Sequence, residues 1–147
     1  MRNIRRVRND RGAAAVEFAL VVPIFLLLVF GIINFGWLFG QNLALSNAAR
    51  QAARFGVVQS NDCNAVKSQA ISAAAPLVSI SASDVSVSSP TAAACSGATK
   101  ACAGSAPDAN VTVTLTYTAQ VPVGGFIPGL GTTKVLTGKG VFRCEWR

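Results

Sequence analysis

At 147 residues the chain has room for one membrane segment and one small domain, not for two full domains. Its formal charge of +7 would suit a nucleic-acid binder, but Arg2, Arg5, Arg6, Arg8 and Arg11 crowd the start, opposed there only by Asp10. From Ala13 onward 8 basic residues face 5 acidic ones, so the excess charge belongs to a leader, and nucleic acid is set aside as a partner.

After the leader, residues 13–40 are apolar apart from Glu17 and Asn34. As a helix this stretch extends roughly 42 Å, more than the approximately 30 Å of a bilayer core, which about 20 residues span. It is too long for the apolar core of a secretory signal, about 7–15 residues, so it is expected to remain as an anchor. Spanning begins near Phe18 and reaches the far interface near Trp37, an aromatic suited to that boundary. Arginines precede the segment, and the first charge after it is Arg50. That asymmetry predicts a cytoplasmic leader (1–12), a transmembrane helix (13–40) and an exported part (41–147). Pro23 removes a backbone donor and predicts a mild kink, or is a tolerated membrane proline. Gly31, Gly36 and Gly40 read as a small-residue stripe for helix packing.

Glu17 is the anomaly of this stretch. On position alone it is a carboxylate that snorkels to the headgroups. Its neighbours say more: Gly12 is followed by Ala13-Ala14-Ala15-Val16-Glu17-Phe18. This resembles the cleavage site of type IV-like prepilins, which a membrane aspartic peptidase cuts after the glycine on the cytoplasmic side. The resemblance implies a scissile bond between Gly12 and Ala13, and a new amino terminus at Ala13. Glu17 and Phe18 then become assembly residues, with the carboxylate paired to the Ala13 ammonium of a neighbouring subunit. A carboxylate in the membrane is costly unless paired, which suits that role.

Over a longer span the chain resembles the TadE-like family, pilin-like proteins of the tight-adherence (Flp, type IVb) pilus system. The resemblance rests on Arg11-Gly12, Glu17-Phe18, Pro23, Gly31-Ile32-Ile33, Phe35-Gly36 and the alanine/arginine stretch closing at Arg54-Phe55-Gly56. Members often carry an acid where Asn34 stands here, so nothing rests on a second membrane carboxylate. What the resemblance implies is a minor pilin or pilus-assembly component of the bacterial cytoplasmic membrane, one that supports surface attachment. Its implied partners are a prepilin peptidase, other pilins, the inner-membrane pilus assembly platform and the lipid bilayer. The alternatives are a stable single-span protein whose exported domain binds a partner, and a secreted module with a removed signal.

The chain then becomes amphipathic without a breaker. Leu45, Ala48, Ala49, Ala52 and Phe55 fall on one side, and Asn47, Arg50, Gln51 and Arg54 on the other. This predicts one long helix running to about Phe55 and ending at Gly56. A second helix is expected over 62–75, capped by Ser60, Asn61 or Asp62 and closed by Pro76, with Val66, Ala70, Ile71 and Ala74 on its apolar side.

From there the period shifts to two. Strands are expected over 83–89, over 111–121, where Val111, Val113, Leu115, Tyr117 and Ala119 alternate with polar residues, and over 134–145. Gly138 and Gly140 weaken the last strand and mark a position for a bulge. The turn-rich loop 122–131 carries Phe126, Ile127 and Leu130, whose default role is to cap the core. Helices followed by three antiparallel strands make a small α+β domain, its sheet packed on the distal half of the long helix.

Four cysteines in a small exported domain favour disulfides. Cys95 and Cys102 bracket six residues and are expected to pair locally, for roughly 2–3 kcal/mol in the chain-entropy model. Cys63–Cys144 would then tie the second helix to the last strand, although three connectivities are open. A metal site finds no histidine and no tight cysteine pair. Without histidine a Ser/His or Cys/His arrangement is impossible. The acids show no paired spacing, and the glycine-rich loop has no lysine or following helix for a phosphate. Neither enzymatic activity nor a cofactor is expected.

Overall fold

The computed structural model describes residues 10–58, 61–91, 94–106, 108–122 and 131–144. Along the chain come helix α1 (Asp10–Val58), helix α2 (Cys63–Ala74), a 3-10 turn (Ala82–Asp84) and strands β1 (Val85–Ser88), β2 (Asn110–Gln120) and β3 (Thr133–Arg143). The class is α+β, with one antiparallel sheet in the order β1-β2-β3. Most of the expected leader, the cap candidate Ser60, the loop residues Phe126, Ile127 and Leu130, and Glu145 lie outside the described residues.

The 49 residues of α1 reach about 70 Å, and its two halves obey different rules. The first half is apolar on every side and covered on none: Phe18, Leu20, Phe25 and Phe35 are all 60–72% exposed. The second half has a stripe of small residues. Leu45, Ala48, Ala49, Ala52, Ala53 and Val57 are buried, while Asn47, Arg50, Gln51 and Arg54 stay exposed, as the helical spacing predicts. The helix overruns its expected end by two residues, because Gly56 is not a cap. It sits inside α1 and buried, where an added Cβ would meet Val66 Cγ2 of α2 at 3.0 Å. The glycine lets the two helices come together.

Helix α2 starts as expected. The Asp62 side chain accepts from the Ala65 amide at 2.7 Å. Cys63, Val66, Ala70 and Ala74 fall on its buried side, with Ile71 half-buried. The next segment turns before it pairs: the Asp84 carboxylate accepts from the Ser81 hydroxyl and amide at 2.6 and 2.8 Å. These bonds hold the exposed Asp84 carboxyl below its ordinary pKa. Strand β1 therefore begins at Val85, two residues later than the alternation suggests.

Strand β2 is the centre of the sheet. Val111, Val113, Leu115 and Ala119 are buried and Tyr117 is half-buried, facing the helices, while the threonines face outward. It pairs with β1 from Val85↔Leu115 to Ser88↔Thr112, and with β3 from Asn110↔Arg143 to Gln120↔Thr133. The second ladder runs without interruption, so the bulge expected at Gly138 and Gly140 does not form. The two glycines face α1 instead. A Cβ on Gly138 would lie 2.5 Å from the carbonyl carbon of Leu45, and one on Gly140 at the same distance from that of Ala49. Strand and helix backbones meet there with no side chain between them.

The disulfides differ from the expected pairs: Cys63 bonds Cys95, and Cys102 bonds Cys144. The 95–102 segment does not close on itself, because its backbone runs beside the start of α2. Cys63 N donates to Thr99 O at 3.0 Å, Asn64 N to Gly97 O at 3.2 Å and Ala101 N to Asn61 O at 3.0 Å. This brings Cys95 to Cys63, with a Cα separation of 5.7 Å. Cys102 lies beyond this contact, at the end of β3, where Cys144 N extends the ladder to Ala109 O at 2.8 Å. Each bridge closes a longer loop than the local one, 32 and 42 residues in sequence separation, worth about 4 kcal/mol apiece in the chain-entropy model.

The glycine contact yields a direct prediction. In Gly140→Ala the methyl meets helix backbone, which cannot rotate aside, so stability should fall by about 3 kcal/mol or more. Thermal unfolding of the purified full-length variant, with disulfides intact, measures it.

Candidate functional site

All the candidate residues lie on the uncovered half of α1. Gly12 and Ala13 are in its opening turns and exposed. Glu17 follows at four residues, about 6 Å along the axis from Ala13, and is exposed as well. Among the side chains described, which begin at Gly12, no cation lies within ion-pair range of it, the one ion pair being Arg143 with Asp108 at the far end of the chain. Phe18 is 71% exposed beside it. The helix continues unbroken through Pro23.

Nothing approaches Gly31, Gly36 or Gly40 closely enough to meet a Cβ within 4 Å. At about 100° per residue, Gly36 and Gly40 share the side of α1 turned away from Leu45 and hence from the sheet. Gly31 lies about 180° around the helix from Gly40, on the side that continues into Leu45.

Two polar residues break the apolar stretch, and they are handled differently. Asn34 Nδ2 donates to Phe30 O at 2.9 Å, so its amide is partly satisfied by its own helix. Gln41 marks the level at which the sheet begins to cover α1. It is 4% exposed, and its Oε1 finds no donor among the described residues. Sequence reading passed it over, since glutamine at the end of an apolar run reads as a surface residue. The available signal was its place one turn before Leu45, on the same side.

Apart from Glu17, the acids whose side chains are described have local tasks. Asp62 caps α2, Asp84 caps the 3-10 turn and Asp108 pairs with Arg143. All four cysteines are bonded, and no metal-holding group occurs among the described residues. Glu17 is thus the carboxylate with a position and no partner. The helix bearing it is long and apolar enough to cross a bilayer, and its most apolar window is not buried at all. This is the pattern of a single N-terminal membrane anchor.

Residues 12–54 match a protein-family model described as TadE-like protein. The match opens at Gly12 and closes at Arg54, covering under a third of the chain. No curated protein and no solved structure matches the chain significantly.

Because Glu17 makes no hydrogen bond or ion pair among the described residues and lies on the uncovered half of α1, Glu17→Ala should leave the folded α+β unit unchanged. Unfolding of the full-length variant in detergent should agree with the parent protein to within about 0.5 kcal/mol.

Proposed function

Residues 12–54 are TadE-like, and from that premise we propose that the chain is a minor pilin or pilus-assembly component of a tight-adherence (Flp, type IVb) pilus. Its task is structural rather than catalytic. The leader stays in the cytoplasm, residues 13–40 span the membrane and residues 41–147 are exported. A prepilin peptidase cuts between Gly12 and Ala13, which makes Glu17 the fifth residue of the mature chain. The assembly platform then brings α1 beside the helices of other pilins, and the pilus so formed supports surface attachment.

The observation that carries this reading is a carboxylate without a partner among the described residues, on a helix half without a cover. An exposed Glu17 on the first turns of an apolar helix is costly in lipid, and an ammonium at Ala13 of a staggered neighbour would relieve that cost. Phe18 and Pro23 would face the same neighbours. Gly36 and Gly40 would allow close approach on the side away from the sheet, and Gly31 on the other. Two disulfides suit an exported unit in an oxidising compartment. An α+β unit is also bulky for a shaft that repeats many times, which favours a minor component.

Two measurements test the proposal. The intact mass of membrane-resident protein should correspond to a chain starting at Ala13, whereas Met1 retained on every molecule would contradict processing. Glu17→Ala should abolish incorporation into pili while membrane insertion continues. Normal incorporation would favour a stable single-span protein that never enters a fibre.

A further inference from the structure

The two edges of the sheet are treated differently. At the β1 edge the strand is four residues long, and Val87 O accepts the Cys95 amide at 2.7 Å. The β3 edge is 11 residues long. Two bonds fix which way its backbone faces. Thr132 O accepts from Val121 N at 2.8 Å, and Cys144 N donates to Ala109 O at 2.8 Å. Even-numbered residues of β3 therefore bond to β2. Thr133, Val135, Thr137, Lys139, Val141 and Arg143 turn N–H and C=O outward. No backbone group among the described residues bonds to that edge.

Natural edges are usually blunted by shortness, proline, a bulge or charge. Strand β3 has no proline and no bulge, and its outer face exposes Val135 at 59% and Val141 at 48%. Its charged residues are all cationic: Lys134, Lys139 and Arg143. Asp108 answers Arg143, while Lys139, between the two valines, has no acid within reach among the described residues.

A second copy does not fit this edge. Gly138 lies against Leu45 and Gly140 against Ala49, so β3 runs in the same direction as α1. Antiparallel pairing of β3 with its own copy would point the two α1 helices in opposite directions, which two chains anchored in one membrane cannot do. The copy's other edge is short and already bonded at Val87.

We propose that β3 is a docking edge for an extended segment of another protein, which adds as a fourth strand antiparallel to β3. It places a carboxylate opposite Lys139 and apolar side chains opposite Val135 and Val141. Main-chain bonds to the odd-numbered residues hold the segment, and the lysine and valines select it. From its N-terminus the segment reads apolar, any, acid, any, any, any, apolar. The inference uses α1 as a membrane anchor and does not depend on cleavage at Gly12.

A photo-crosslinking amino acid, p-benzoylphenylalanine, placed at Val135 or Val141 of the full-length protein in cells that produce it natively, tests the proposal. Ser86, on the same face near the other edge, serves as control. The expected result is an adduct from both β3 positions and none from Ser86, with the crosslinked partner peptide carrying the acid and apolar residues in that spacing. Thr137→Pro removes only an outward N–H, and should abolish the adduct while both disulfides still form. Lys139→Glu should also abolish it, and exchanging the partner's acid for lysine should restore it. Four outcomes would overturn the proposal: no adduct, an equal adduct from Ser86, an adduct that survives Lys139→Glu, or a crosslink to a second copy of the chain.

Discussion

The structure depends on one contact, where the backbone of β3 meets the backbone of α1 at Gly138–Leu45 and Gly140–Ala49. Two glycines spaced by two on a strand lie on the same side, and two residues spaced by four on a helix do likewise. The rises match closely, about 6.6 Å along the strand and 6 Å along the helix. Strand and helix can therefore run together for that distance only if neither interposes a side chain. The alanines at 48, 49, 52 and 53 complete the condition from the helix side. Tyr117 and the buried valines of β2 then fill the space next to this seam, and α2 closes it at Gly56 against Val66.

A consequence follows for the uncovered half of the helix. Since α1 is continuous from Asp10 to Val58 and its distal half is core, the α+β unit is mounted on the apolar segment without a linker. The side of α1 under the sheet is fixed, and so is the side left open. Gly36, Gly40, Asn47, Arg50 and Arg54 face away from the sheet, where a neighbouring helix has access. The β3 edge then stands at a set height and azimuth relative to the apolar segment. Under the proposed pilus role, this arrangement would transmit orientation from helix packing to the surface of the α+β unit.

Much of this was legible from pattern. The apolar span, the switch to an alanine face opposed by Arg50 and Arg54, a cap for α2 within residues 60–62 and the alternation of β2 are local signals, and local rules read them correctly. The α+β class followed from their order. Apart from the late start of β1, set locally by the Ser81–Asp84 bonds, what was missed shares one cause: it is decided by residues distant in sequence. A glycine in a strand marks either a bulge or a close approach, and only the position of α1 chooses between them for Gly138 and Gly140. Gly56 reads as a helix end until Val66 is seen against it. The cysteine pairs follow from the 95–102 segment lying along the start of α2, a bridge between Asp62 and Lys100 that no spacing announces. At the site, Glu17 stood out because a charge in an apolar run is conspicuous, whereas Gln41 did not, since its burial depends on the folded α+β unit around it.

The central claim is that the distal half of the membrane helix and the sheet are one cooperative body. Amide hydrogen exchange on the full-length protein in lipid bilayers addresses it directly. The account predicts that amides of residues 45–57 exchange in the same slow class as those of Val113 and Leu115. Residues 45–57 exchanging as a separate, faster unit while β2 and β3 stay protected would contradict it.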